Sequence, residues 1–208
     1  MEFQVARNRK QLELVAGEYI AFLKPNDWDD YGFRTHYTLE LVSKEDVIEI
    51  GHLAIAYEGM GRGLTNDELP KRFEALPADF FSLGLNDEYY WNLKQAGDEC
   101  RDKVLQVLGD LALDINRFEK LLENSGRTSV IRQSFLRHTS QELVVRQFHR
   151  LAKGGPRFLG FDMSFSVDYE NCDQLDFFVR PESCPPSNVH ALIGSNGVGK
   201  THLSLIHI

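Results

Sequence analysis

Gly194-Ser195-Asn196-Gly197-Val198-Gly199-Lys200-Thr201 spells G-x-x-x-x-G-K-T, and its last residue stands seven positions before the end of a 208-residue chain. A polyphosphate is held by backbone N–H groups at a helix N-terminus, where unpaired donors and the positive end of the dipole converge on the anion. Side chains would obstruct those donors, which is why the loop is glycine-rich. Gly194 is expected to open the turn, and Gly197 and Gly199 to permit close approach or positive φ. The amides from Asn196 to Thr201 would then face the phosphates, with Ser195 and Val198 as further members of the loop. Lys200 is expected to reach the terminal phosphates, and the Thr201 hydroxyl to ligate Mg²⁺, a cation that takes oxygen ligands. Such a loop has meaning only between a strand and a helix. Val189 to Ile193 reads as the strand, and Thr201 to Ile206 as the start of the helix.

Working outward, Phe158 to Val167 alternates, with Phe161, Met163, Phe165 and Val167 against Asp162, Ser164 and Ser166, which predicts a half-buried antiparallel strand. Leu175 to Arg180 reads as a second. With the loop sequence Ala191 to Thr201, this order resembles the opening lobe of ABC-type ATPase heads, the group that includes structural-maintenance-of-chromosomes, recombination-repair and bacterial phage-defence ATPases. The resemblance implies ATP and Mg²⁺ as ligands, and ATP hydrolysis and a head-to-head homodimer for a complete relative. It also implies a role on nucleic acid or in phage defence. The family's signature motif, second acidic motif and catalytic glutamate follow the loop, so only ATP contact carries over, and no catalytic residue is assigned. Tyr169 stands where such heads often place an adenine-stacking aromatic, although a surface turn is the plainer reading. Leu203 to Ile208 resembles translated adapter sequence, and the lobe is expected to be an N-terminal portion interrupted just after the loop.

The chain is 42% hydrophobic and 26% charged with a net charge of −8, inside ordinary globular limits. It has no run of eighteen apolar residues and no signal-peptide core at its start, so no membrane span is expected and the protein is read as cytoplasmic. Three cysteines without metal-type spacing fit reduced thiols.

About 150 residues precede the lobe. Glu18 to Lys24, Phe33 to Val42 and Val47 to Tyr57 read as strands, the second with Tyr37, Leu39 and Leu41 on one face. The joining segment holds Asp27, Asp29 and Asp30, ordinary turn residues that lack the offsets of a calcium loop. Glu58 to Gly63 lacks the Lys-Ser/Thr pair and reads as a connecting loop. From Asp87 on, Tyr89, Leu93, Ala96, Cys100, Val104, Val107 and Leu111 recur every three or four residues and predict one long core-facing helix. Tyr89, Tyr90 and Trp91 read as packing. Thr139 to Glu142 forms a capping-box pattern opening a last helix, and Gly154-Gly155-Pro156 marks a boundary.

Between Ser125 and Arg157 seven Lys or Arg face a single acid, Glu142, so a net +6 sits inside a protein of net −8. Arg146, Arg150 and Lys153 fall at i, i+4 and i+7 and are candidate contacts for nucleic-acid phosphates, although a cationic helix end is also favoured by the helix dipole. The expected fold is therefore an α+β unit over residues 1–156, three antiparallel strands followed by helices. After it comes the opening lobe of a P-loop ATPase over 157–208. An alternative joins all strands in one sheet. A second functional class, a non-catalytic partner-binding module whose loop holds no nucleotide, stays open beside ATP binding.

Overall fold

The apolar alternation near the start of the chain builds a sheet around one long strand. The computed structural model describes residues 1–165, 175–181, 183–185, 187, 189–191 and 193–197. These fall into two compact units, Met1–Arg157 and Phe158–Ile208. The strands of the first unit are β1 (Phe3–Val5), β2 (Ile20–Pro25), β3 (Phe33–Arg34), β4 (His36–Val42), β5 (Val47–Tyr57), β6 (Gly63–Leu64), β7 (Arg72–Phe73) and β8 (Phe80–Gly84). Six of them form one sheet in the order β7-β1-β2-β4-β5-β8. All pairs are antiparallel except β1 with β2. The three strands read from the sequence are its middle, and β1, β7 and β8 widen it. The run expected over Phe33 to Val42 splits, because β3 leaves to pair with β6 and Thr35 between them is buried.

Along β4, Tyr37, Leu39 and Leu41 enter the main core, as the period of two requires. Val42 is also buried, but it packs with Ile20 and Phe22 in a small second cluster. Four consecutive residues of β5, Leu53 to Ala56, have no exposed surface. Covering of that kind on both faces explains why the strand reads as a continuous apolar run. A bulge lies between Leu39 and Glu40, which pair with Gly51 and Glu49, leaving Ile50 as the extra residue. Gly51 takes φ +133°, and a Cβ there would stand 3.5 Å from the backbone of Tyr89.

Helices α1 (Asp87–Gln95), α2 (Asp98–Val107) and α3 (Ile115–Glu123) follow the sheet. The side chain of Asn86 caps α1 by accepting from Tyr89 N at 3.1 Å. The single long helix expected from Asp87 is in fact two, because Gly97 takes φ +113°, a conformation no helix contains. The stripe survives the break, with Tyr89, Leu93 and Val104 fully buried on either side of it. Tyr90 is buried as well, so these aromatics are core.

A π-helical turn (Ile131–Phe135) leads to α4 (Gln141–Leu143), a second π turn (Val144–Phe148) and α5 (His149–Ala152). The cap of α4 is Ser140, whose Oγ accepts from Leu143 N at 3.1 Å, one residue later than the capping box read at Thr139. The outer edge of β8 is closed by the chain after α2. Ser82 N donates to the carbonyl of Gly109, and Leu111 N donates to the carbonyl of Ser82 at 2.9 Å.

In the second unit β9 (Phe161–Phe165) and β10 (Leu175–Val179) form an antiparallel pair, with Phe161 opposite Val179 and Met163 opposite Phe177. Among the described residues this pair shares no sheet with β1 to β8.

Candidate functional site

The segment leading to the glycine loop is fixed by serine hydroxyls. Ser187 Oγ accepts from Arg180 N at 2.7 Å and donates to the carbonyl of Arg180 at 2.9 Å, while Ser183 Oγ lies 2.9 Å from it. Arg180 ion-pairs with Asp162, and its guanidinium lies 5.7 Å from the Phe178 ring centre. The imidazole of His190 meets Phe177 edge to face at 5.1 Å. These contacts tie the end of β10 to the approach to the loop.

The strand expected over Val189 to Ile193 is not formed among its described residues. They join no ladder, and Val189 and Ile193 are 79% and 96% exposed. A strand buried in a parallel sheet needs hydrogen-bonded neighbours on both edges. Among the described residues β9 and β10 pair only with each other. Of the loop itself, Gly194, Ser195, Asn196 and Gly197 are described, all exposed, with a turn at Asn196-Gly197. Gly197 takes φ +88°, and nothing lies within 4 Å of where its Cβ would stand. Positive φ at Gly197 is one of the two roles the sequence reading allowed for this glycine. Val198, Gly199, Lys200 and Thr201 lie outside the described residues, as does Tyr169.

The three basic positions of the last helix have different surroundings. Arg146 pairs with Glu142 at 3.4 Å, both largely exposed. Arg150 is committed to the backbone, donating to the carbonyls of Pro156 at 3.0 Å and Arg157 at 3.2 Å. Lys153 is exposed. Arginine's fork here closes the end of its own helix.

The acidic turn is likewise internal. Asp27 pairs with Arg7, and Asp29 pairs with Arg34 and accepts from Gly32 N at 2.6 Å. Asp30 is fully buried and gathers Trp28 Nε1 at 2.9 Å, Ser134 Oγ at 2.8 Å, His36 Nε2 at 2.9 Å and the guanidinium of Arg137. Because Ser134 donates to Asp30, the Thr35 hydroxyl 2.7 Å away donates to Ser134. Burial pushes the Asp30 carboxyl up, but the bonds from Ser134, Arg137 and Trp28 outweigh it and hold it below the ordinary range. Burial also lowers His36 against the pull of Asp30, favouring a neutral ring. No group of three or more His, Cys, Asp or Glu residues suited to a metal occurs among the described residues.

Sequence reading missed this cluster because its members are a hundred residues apart and no local spacing links Asp30 to Ser134. Beside it stand two aromatic rings that no sequence motif singles out. Trp28 is 50% and Tyr31 63% exposed, and Arg137 lies 5.8 Å from one ring centre and 5.1 Å from the other. Tyr31 takes φ +56°, the only non-glycine residue with positive φ among those described.

No helix among the described residues is long and apolar enough to cross a membrane. No family model matches the sequence, and no solved structure matches the chain. Among curated proteins the chain is similar to Protein ea59 of Escherichia phage lambda, with 34% identity over 186 residues, 87% of this chain and 35% of that protein. The chain thus spans about a third of the length of the curated relative it matches.

Proposed function

We propose that this chain is the nucleotide-binding front portion of an ATPase, in which residues 194–201 hold the phosphate tail of Mg-ATP. The observation that carries the reading is a G-x-x-x-x-G-K-T sequence whose Gly197 adopts left-handed backbone facing open space. Lys200 would neutralise the terminal phosphates, and Thr201 would supply an oxygen to Mg²⁺. When bound, ATP with Mg²⁺ supplies the phosphoryl group whose transfer drives such enzymes. Hydrolysis, a head-to-head dimer and work on nucleic acid or in phage defence are proposed for a complete protein of this kind.

The test is Mg-ATP affinity by calorimetry for the chain and for its Lys200→Ala variant. Measurable binding that the variant loses by tenfold or more supports the reading. Equal and negligible affinities overturn it. In that event the exposed Val189 and Ile193 favour the second reading, a partner-binding module in which those apolar side chains meet another protein.

A further inference from the structure

The acidic turn and the second glycine-rich loop meet on the first unit. Gly63 N donates to the carbonyl of Gly32 at 2.9 Å, and β3 pairs with β6. The Arg62 side chain crosses Gly32 so closely that a Cβ on that glycine would stand 3.0 Å from Arg62 Cδ. Arg62 is exposed and has no ion pair among the described residues. The surface so assembled presents Trp28, Tyr31, Arg34, Arg62 and Arg137.

Three features point to a ligand with flat rings and negative charge. First, both rings are at least half exposed, and both are held from beneath by rigid structure. Trp28 is anchored by its indole N–H on buried Asp30, and Tyr31 is carried by a left-handed residue between Asp30 and Gly32. Left-handed backbone is costly for a tyrosine, and strain of this kind persists where surrounding structure imposes it. Second, Arg137 is placed against both rings and is itself fixed by Asp30, so the stack is preorganised. Third, the three carboxylates of the turn are already paired. Asp27 faces Arg7, Asp29 faces Arg34 and Asp30 faces Arg137, whereas Arg62 has no ion pair among the described residues.

We infer that Trp28, Tyr31 and Arg62 form a stacking platform for single-stranded nucleic acid, with bases on the two rings and the sugar-phosphate chain passing Arg62. Aromatic faces accept any base, and clustered cations track the backbone, which is how sequence-tolerant single-strand binders work. A duplex hides its base faces and is not the ligand such rings select. The platform is independent of the glycine loop at 194–201, so failure of one leaves the other standing.

The experiment is a titration of the full chain with a 20-residue oligothymidylate, read by quenching of tryptophan fluorescence and by anisotropy of a labelled strand. The chain has two tryptophans, and Trp91 is partly buried, so Trp28→Phe is expected to abolish most of the quenching. Tyr31→Gly removes the ring while relieving the backbone. It is expected to keep or raise the melting temperature and to weaken binding about tenfold or more, the scale of one lost stack. Arg62→Glu is expected to weaken binding and to flatten its salt dependence. The inference is overturned by any of three results: no binding at low salt, binding of a 20-base-pair duplex at least as tight as the single strand, or full affinity in Tyr31→Gly. Loss of binding in an Arg146→Glu, Lys153→Glu double variant with Tyr31→Gly unaffected would move the site to the last helix and overturn it equally.

Discussion

Asp110 is a buried carboxyl in the core of the first unit. It is buried between α1 and the chain after α2, accepting from Ala112 N at 2.9 Å and Leu113 N at 3.2 Å, and from the hydroxyl of Tyr90. Burial pushes its carboxyl up to about 7, although those donors pull the other way. The folded value lies above the unfolded value near 3.8, so the folded state binds the proton more tightly. This group therefore contributes stability that is full at low pH and is lost as pH rises between about 4 and 7, with a slope approaching 1.4 kcal/mol per pH unit. Asp110→Asn is expected to remove that slope, measured as the difference between variant and parent in melting temperature from pH 4.5 to 7.5. An unchanged difference across the range would mean that Asp110 titrates normally. Beside it, a Cβ on Gly84 would stand 2.4 Å from Tyr89 Cδ1 and 2.7 Å from Tyr90 Cε2, both on fully buried rings. Gly84→Ala is expected to cost roughly 1–3 kcal/mol in denaturant unfolding, the usual penalty of overpacking. None of this was legible beforehand, because a lone Asp and a lone Gly carry no periodic signal.

At the scale of elements, the sequence showed what repeats locally and hid what depends on distant partners. The period of two at Tyr37, Leu39 and Leu41 gave β4 directly, and the three-to-four spacing from Tyr89 to Val104 gave the helical stripe. Missing from the pattern was the break at Gly97, since a stripe continues across a gap that keeps its phase. Short edge strands such as β7, two residues long, offer too little pattern to recognise. The strand before the glycine loop was expected from its β-branched composition, yet composition supplies no neighbour to pair with. The helix cap yields a test. Ser140→Ala is expected to cost about 1 kcal/mol, whereas Thr139→Ala should cost little, because the buried Thr139 hydroxyl has no hydrogen-bond partner among the described residues. Chemical denaturation of the two variants decides which residue caps α4, and the reverse order of costs would restore the capping box.

For the molecule as a whole, every residue of the main buried cluster lies between Phe3 and Ala152. The first unit therefore holds its own core, and a chain shortened to residues 1–157 is expected to melt within a few degrees of the main transition of the longer chain. A fall of ten degrees or more would show that residues beyond 157 contribute to that core. Charge is also unevenly spread: within the basic stretch that the sequence displayed as a block, Arg137 meets Asp30, Arg146 meets Glu142 and Arg150 meets the backbone beyond α5. The covering of β8 by Gly109 and Leu111 has a further consequence. With that margin sealed and the opposite one only as long as β7, the large sheet gives a misfolded copy no extended row of amides to zip onto. Resistance to fibril growth is thus built into this part of the protein by how its sheet begins and ends.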